Sequence, residues 1–216
     1  MIRLHVFGRG RMGSLVSALA PEAGFTLVGL AEAEVAVEFT VPTAAAGIVR
    51  QCAAAGVPVV SGTTGWDAER AAVEAEVRAS KGALLWAPNF AIGVHLFGQV
   101  VEEAARRYLS ATAGFDGHLI ETHHVKKLDA PSGTAKSLGA RIERAAGRAV
   151  PITSVRTGSV PGTHEFVVDA PFEQMRLTHE ARDRRVFAAG ALTAAKWLVG
   201  RRGVLTLDDM LGGSTR

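Results

Sequence analysis

Along the first part of the chain, short apolar runs alternate with longer stretches in which apolar residues recur every third or fourth position. Residues 2–7 (Ile-Arg-Leu-His-Val-Phe) alternate and are rich in strand formers. Residues 25–30, 35–40 (Val-Ala-Val-Glu-Phe-Thr), 57–60 (Val-Pro-Val-Val) and 83–86 (Ala-Leu-Leu-Trp) read as further strands. Between them, 14–20, 43–55 and 67–80 carry helical spacing. The second of these is ended by Gly56, and the third is opened by Asp67 as a predicted N-cap. Strands alternating with helices predict an α/β, doubly wound parallel sheet. From Ile92 the pattern changes to a long amphipathic helix (93–109), a strand (117–122), a helix (135–146) and strands at 152–155, 164–168 and 174–179. That order predicts a second, α+β domain. An Ala-rich helix at 187–199, with Trp197 on its apolar face, and a short helix at 208–211 follow.

Composition narrows the class without changing this picture. The 216 residues allow one domain or two small ones, and 48% hydrophobic with 21% charged residues is the balance of a globular protein. A formal charge of +3 and a pI near 9.4 suit anionic small molecules, and no Lys/Arg run is long enough to argue for nucleic acid. The single Cys52 excludes an intrachain disulfide and points to a reducing compartment; in its Ala-rich helix it reads as a small core residue. The chain opens on a strand rather than a signal segment and has no apolar run of membrane-spanning length, so a cytoplasmic protein without a membrane partner is expected.

Candidate chemistry begins at Gly8-Arg9-Gly10-Arg11-Met12-Gly13, directly after one strand and before one helix. Strand, G-x-G-x-x-G, helix, strand and then an acid, Glu32, is the dinucleotide-binding fingerprint in its required context, and makes the first domain Rossmann-type. Gly8 permits the turn, Gly10 lets backbone approach a pyrophosphate, and Gly13 allows close helix packing. Glu32 at that distance favours NADH, or is a solvated loop carboxylate; Arg9 and Arg11 could meet the 2′-phosphate of NADPH. The choice stays open. Ligands of such sheets sit at the carboxyl ends of strands, and the loops there include Phe39, Gly62, Thr63, Thr64, Ala87, Pro88, Asn89 and Phe90.

The densest chemistry lies in Glu121-Thr-His-His-Val-Lys-Lys-Leu-Asp-Ala-Pro-Ser-Gly-Thr-Ala135. His123 suits a proton donor and Lys127 adds positive charge to the same pocket. His124 can help bind an anion. Ser132, Gly133 and Thr134 open a helix, where free N–H groups can hold a carboxylate. Singly, the histidines could be a structural strand end and the lysines a solvated turn; Lys126 is the bystander of the two. No metal-ligand set is expected, because adjacent His123 and His124 diverge on a strand.

This stretch resembles the signature of the 4-hydroxy-tetrahydrodipicolinate reductase (dihydrodipicolinate reductase) family of the diaminopimelate route to lysine. Gly10-Arg-Met-Gly13, Phe39-Thr-x-Pro42, Gly62-Thr-Thr-Gly65, Pro88-Asn-Phe90, Ser154-Val-Arg-x-Gly158 and Gly190-Ala191 through Ala194-Ala-x-Trp197 agree with it. The resemblance implies a dinucleotide-binding domain (1–91 plus 190–216) and a substrate-binding domain that builds a homotetramer (92–189). It implies His123 as proton donor or acceptor and Lys127 as the donor assisting reduction. His124, Gly133 and Thr134 would bind the cyclic dicarboxylate; residues 8–13, Glu32, 62–64 and 87–90 would line NADH or NADPH. The chain departs from the family in its one-residue-shorter glycine loop and in the short segment after Leu30. Two other readings are a different small Rossmann dehydrogenase acting on an amino-acid semialdehyde or imino acid, and a non-catalytic NAD(P)-binding sensor. The intact His123, Lys127 and Ser132-Gly-Thr134 speak against the sensor.

Overall fold

The computed structural model describes residues 1–109 and 114–212. In chain order the first elements are β1 (Ile2–Phe7), α1 (Arg11–Leu19), β2 (Phe25–Leu27), β3 (Val35–Glu38), α2 (Pro42–Ala55), β4 (Val59–Ser61), α3 (Asp67–Ala79) and β5 (Ala83–Trp86). They are followed by α4 (Ile92–Tyr108), β6 (Asp116–His123), α5 (Gly133–Ala146), β7 (Ile152–Arg156), β8 (Thr163–Ala170) and β9 (Glu173–Glu180). The last are α6 (Arg185–Leu198), β10 (Gly203–Leu205) and α7 (Leu207–Met210). Two compact units result: Met1–Ile92 with Arg185–Arg216, and Gly93–Arg184. These divisions fall a few residues from 91/92 and 189/190, because α6 starts at Arg185 and belongs whole to the first unit.

The first unit is a six-stranded parallel sheet in the order β10-β5-β4-β3-β1-β2. Its central strands are apolar on both faces, as a sheet covered by helices on both sides requires. Val35 and Val37, with Leu4, Val60 and Leu85, pack into one core with Val16 of α1 and Ala188, Ala191, Ala195 and Leu198 of α6. Ala36, Val59 and Leu84 point the other way, to Val49 and Cys52 of α2 and Val73 and Val77 of α3. Cys52 is fully buried, a small core residue.

Four local expectations change. The glycine loop feeds α1 at Arg11 rather than 14, because Gly10 itself serves as the extended N-cap. Strand β2 stops at Leu27, and a 3₁₀ turn at Leu30–Glu32 replaces its predicted end. Trp66, not Asp67, is the N-cap of α3; Asp67 begins the helix and accepts from Arg70 at 2.8 Å. Strand β10 has no counterpart in the pattern reading: it is a brief edge run that gains its identity by pairing with β5.

The second unit is a mixed sheet, β7-β6-β8-β9, with β6–β7 parallel and the other pairs antiparallel. Leu119, Ile152, Phe166, Val168 and Leu177 pack with Val101 and Ala105 of α4 and Leu138 and Ile142 of α5. Because side chains alternate along a strand, Glu121 and His123 lie on the same helix-covered face of β6 as Leu119. The core of this unit thus turns polar toward the end of β6. That polar end is the site.

Close packing sets a stability prediction. A Cβ at Gly190 of α6 would lie 1.7 Å from the Phe90 carbonyl oxygen. Helix propensity favours Ala over Gly by about 1 kcal/mol, but overpacking against backbone costs about 1–3 kcal/mol or more. Gly190→Ala should therefore lower the unfolding midpoint in a denaturant titration. Gly47→Ala in α2, where a Cβ meets nothing within 4 Å, should raise it.

Candidate active site

The carboxyl ends of β1, β3, β4 and β5 gather most of the residues expected around a dinucleotide. At Gly8 (φ +106°) a Cβ would lie 2.1 Å from the Phe39 carbonyl oxygen, and at Gly13 one would lie 2.0 Å from that of Gly8. At Gly10 it would meet nothing within 4 Å. The loop is packed on its inner side and open at Gly10, and α1 has no side-chain cap on its first turn. Such unclaimed N–H groups fit a dinucleotide's phosphates. Arg9 and Arg11 are exposed, whereas Met12 packs against the core. The Phe39 ring occupies the space beside Gly62, where a Cβ would lie 2.0 Å from its Cε1, and stacks edge-on with Phe90 at 6.1 Å. Asn89 Oδ1 accepts from Ala91 N at 2.8 Å; Thr64 and Pro88 are exposed and Ala87 is buried.

A residue not singled out from sequence holds these loops. Glu38, at the end of β3, is fully buried. Its Oε1 accepts from Thr40 N (2.6 Å) and from the hydroxyls of Thr40 and Thr63 (both 2.5 Å), and its Oε2 from the Ser61 hydroxyl (2.6 Å). The Thr63 carbonyl in turn accepts from the indoles of Trp66 (2.8 Å) and Trp86 (2.9 Å). Glu38 thereby ties the loop after β3 to the loop after β4. Glu32 ends the 3₁₀ turn after β2. Its carbonyl accepts from Arg3 Nε at 2.6 Å and Glu34 N bonds Arg3 O at 2.8 Å, so the short segment returns toward the start of β1.

In the second unit, β6 runs through His123, one residue beyond its expected end, and the following loop is pinned to the end of β7. Thr157 N bonds His123 O (2.9 Å), Val125 N bonds Gly158 O (3.3 Å) and Lys127 N bonds His124 O (3.0 Å). Lys127 is half-buried and Lys126 exposed. Lys127 Nζ donates to Asp129 Oδ1 at 2.7 Å. That bond, with a smaller contribution from the Gly133 N–H, holds the Asp129 carboxyl below its ordinary range. A carboxylate of the chain itself is thus bound between Lys127 and the N-terminus of α5. Ser132 is the N-cap of α5, and its hydroxyl accepts from Ala135 N at 3.1 Å.

Beneath this lies a buried cluster. Glu121 is fully buried; its Oε1 accepts from Arg156 Nη2 (2.7 Å) and Ser132 N (3.3 Å), and its Oε2 lies against His123 Nδ1. Directly across the ladder from Glu121 is His164, whose Nε2 pairs with the Ser132 hydroxyl at 3.3 Å and whose ring meets His123 edge-on at 5.3 Å. Burial alone would raise the Glu121 carboxyl, but polar contacts from Ser154 and Arg156, the His123 charge and the Ser132 N–H bring it down to about 2. Burial pushes His123 below its ordinary value; Glu121 opposes the drop, while Lys127 and Arg156 reinforce it. Burial and the neighbouring His123 push His164 down to about 4. Glu121, His123 and His164 are also close enough, within 4.8 Å, to face one cation. The Arg156 guanidinium already neutralises that carboxylate, and its charge opposes a second cation.

Glu121, Arg156, His164 and Glu38 carry this geometry, and none was assigned a role from sequence. Glu121 had one usable signal, its spacing of two from His123 on a strand. His164 had none, since its position depends on the β6–β8 register.

A parallel sheet with an open glycine loop at its carboxyl edge, together with a separate mixed sheet bearing an imidazole–ammonium–helix-terminus site, defines a Rossmann-type, NAD(P)H-dependent oxidoreductase. Comparison with known proteins sharpens that class. Family profiles described as dihydrodipicolinate reductase, N-terminus, and dihydrodipicolinate reductase, C-terminus, match residues 27–90 and 93–211. A 4-hydroxy-tetrahydrodipicolinate reductase of Thiobacillus denitrificans is 40% identical over 202 residues, covering 83% of this chain and 74% of that one. One of Acidiphilium cryptum is 35% identical over 98% of both chains. The chain belongs to the dihydrodipicolinate reductase family. Its fold is that of the dipicolinate-bound dihydrodipicolinate reductase from Paenisporosarcina sp. TG-14, with a TM-score of 0.83 at 21% identity over 98% of this chain and 99% of that one.

The buried histidine sets a pH dependence. Unfolded, His164 takes up a proton near its ordinary value of 6.5; folded, it resists until about 4. Between those values the unfolded chain binds more protons, so stability is full above about 6.5 and falls as the pH drops toward 4. The loss is on the order of 3 kcal/mol. Thermal melts across this range should show the fall, and His164→Gln should flatten it.

Proposed function

We infer that the chain reduces 4-hydroxy-tetrahydrodipicolinate (dihydrodipicolinate) to tetrahydrodipicolinate with NADH or NADPH, a step of the diaminopimelate route to lysine. The observation that carries this reading is the Asp129 carboxylate held between Lys127 and the α5 N-terminus, beside His123. The same groups suit a carboxylate of a cyclic dicarboxylate substrate. Ser132, Gly133 and Thr134 supply the helix-terminal contacts, and His124, in the same loop, adds a polar edge to the pocket.

Loss of the 4-hydroxyl as water gives the dihydro form, which then takes a hydride at an electron-poor carbon and a proton at its neighbour. The reduced nicotinamide supplies the hydride when bound. Residues 8–13 take the phosphates, and the loops carrying Phe39, Gly62, Thr63, Thr64 and 87–90 form the rest of the dinucleotide's surroundings. Glu32, in the segment after β2, would meet the adenosine ribose, and the reading covers both NADH and NADPH. His123 moves the proton. Its depressed affinity for a proton makes the imidazolium a stronger acid than free histidine, which favours delivery to carbon. Lys127 steadies negative charge on the substrate and contributes a second N–H donor. The same reading includes a homotetramer assembled through the second unit and a cytoplasmic location. Among the described residues no helix is long and apolar enough to cross a membrane.

Coupling the protein to a dihydrodipicolinate synthase and following NADH and NADPH oxidation separately tests the assignment. Oxidation of at least one is expected, and none of either would overturn it. His123→Gln and Lys127→Ala should each cut turnover by roughly 10²-fold or more, while cofactor binding, followed by fluorescence, stays near that of the unaltered chain.

A further inference from the structure

We propose that Glu121 is a positioning residue that fixes the tautomer of His123, keeping the proton on Nδ1 so that Nε2 is the atom that exchanges a proton with substrate. The proposal deepens the reading of His123 as the proton-transferring group and rests on it.

Geometry leaves the carboxylate little choice. Glu121 is fully buried and two residues from His123 on one strand face, so both side chains project together. Its Oε1 is committed to Arg156 Nη2 and to the Ser132 amide. Arg156 is itself held, through the same nitrogen, by the Asp129 carbonyl at 2.6 Å. Oε2 lies against His123 Nδ1, and the neighbouring Ser154 hydroxyl is a further donor toward the carboxylate. A guanidinium and a backbone N–H are donors that cannot change role, so the carboxylate is ionised and acts only as acceptor. The nitrogen facing an ionised acceptor carries the hydrogen, and in neutral imidazole the other nitrogen is then bare. A buried carboxylate orienting an imidazole by its far nitrogen follows the logic of acyl-transfer triads, in which the acid sets tautomer and angle without itself taking the proton.

The remaining neighbours keep Nε2 clear. A Cβ at Gly162 would lie 3.0 Å from that atom, so the glycine leaves the space beside it open. His164 flanks the ring edge-on, and its own Nε2 is engaged by the Ser132 hydroxyl, not by His123. Burial holds His164 neutral at neutral pH, so it adds no charge there. The charged groups facing His123 are therefore Glu121 on its own strand, Arg156 at the end of β7 and Lys127 in the following loop; the neutral His164, with His179 behind it on β9, completes the surroundings. In turnover the imidazolium gives up its Nε2 proton and returns to the Nδ1–H form, and Glu121 remains a carboxylate throughout.

The test is the imidazole ¹⁵N spectrum of the full chain with labelled histidine, His123 being assigned by its loss in His123→Gln. Above its titration, wild-type His123 should carry hydrogen on Nδ1. A neutral His123 protonated on Nε2 overturns the proposal with no variant needed. In Glu121→Gln the carboxylate that favours the imidazolium is gone. The His123 titration and the alkaline limb of kcat/KM should move to lower pH, the Nδ1–H preference should weaken, and kcat should fall roughly 10²-fold. KM for NADH or NADPH should not change. An unchanged tautomer and pH profile in that variant would reduce Glu121 to a structural ion pair and contradict the proposal. The spectrum is taken without substrate, so it stands or fails separately from the reductase assay.

Discussion

A carboxylate with no exposure must find fixed donors or lose its charge, and Glu121 meets that demand by drawing three elements to one point. Stranding an ion of this size in an apolar interior costs far more than a domain's whole stability margin. The Arg156 guanidinium from the end of β7 and the Ser132 amide from the start of α5 meet one carboxylate oxygen, and the His123 imidazole from β6 meets the other. The β6–β7 register puts Glu121 opposite Ser154 and His123 opposite Arg156, so the sheet delivers these partners before any side chain adjusts. One buried charge thus positions the imidazole, aims the helix terminus and ties down the loop that carries Lys127 and Asp129.

The first unit solves the same problem by other means. Glu38 is as buried as Glu121, yet none of its donors is a cation; hydroxyls of Ser61, Thr40 and Thr63 and one backbone N–H surround it. The difference suits the tasks. Around a dinucleotide the loops need a rigid floor with room for anionic phosphates, and hydroxyl donors lock two loops together without adding positive charge. Around a carboxylate substrate and a titrating imidazole, fixed charge is useful, because it sets both affinity and proton position.

Much of this was legible in the chain, and the limits have physical causes. The parallel sheet followed from apolar runs alternating with helical spacing, and the glycine loop was readable because its context, strand before and helix after, lies within one short segment. His123, Lys127 and the Ser132 helix start were contiguous, so chemistry could be read without tertiary structure. Arg156 and His164 reach the site only through strand register, which single-residue spacing does not encode; a shift of one residue in β8 would turn His164 away. Glu38 sat in an apolar run where a lone carboxylate reads as an interruption. Glu32 was readable by its distance from the glycine loop, and its backbone carbonyl accepts from Arg3 Nε. The edge strand β10 has little pattern of its own and exists by pairing with β5.

We propose that the end of β6 and the start of α5 form a carboxylate site completed by Lys127. Calorimetric titration of pyridine-2,6-dicarboxylate into the unaltered chain and into Lys127→Ala measures it most directly. Saturable binding is expected, weaker by roughly 30-fold or more in the variant, the cost of removing one partner of a hydrogen-bonded charge pair. Equal affinity in the two proteins would contradict it.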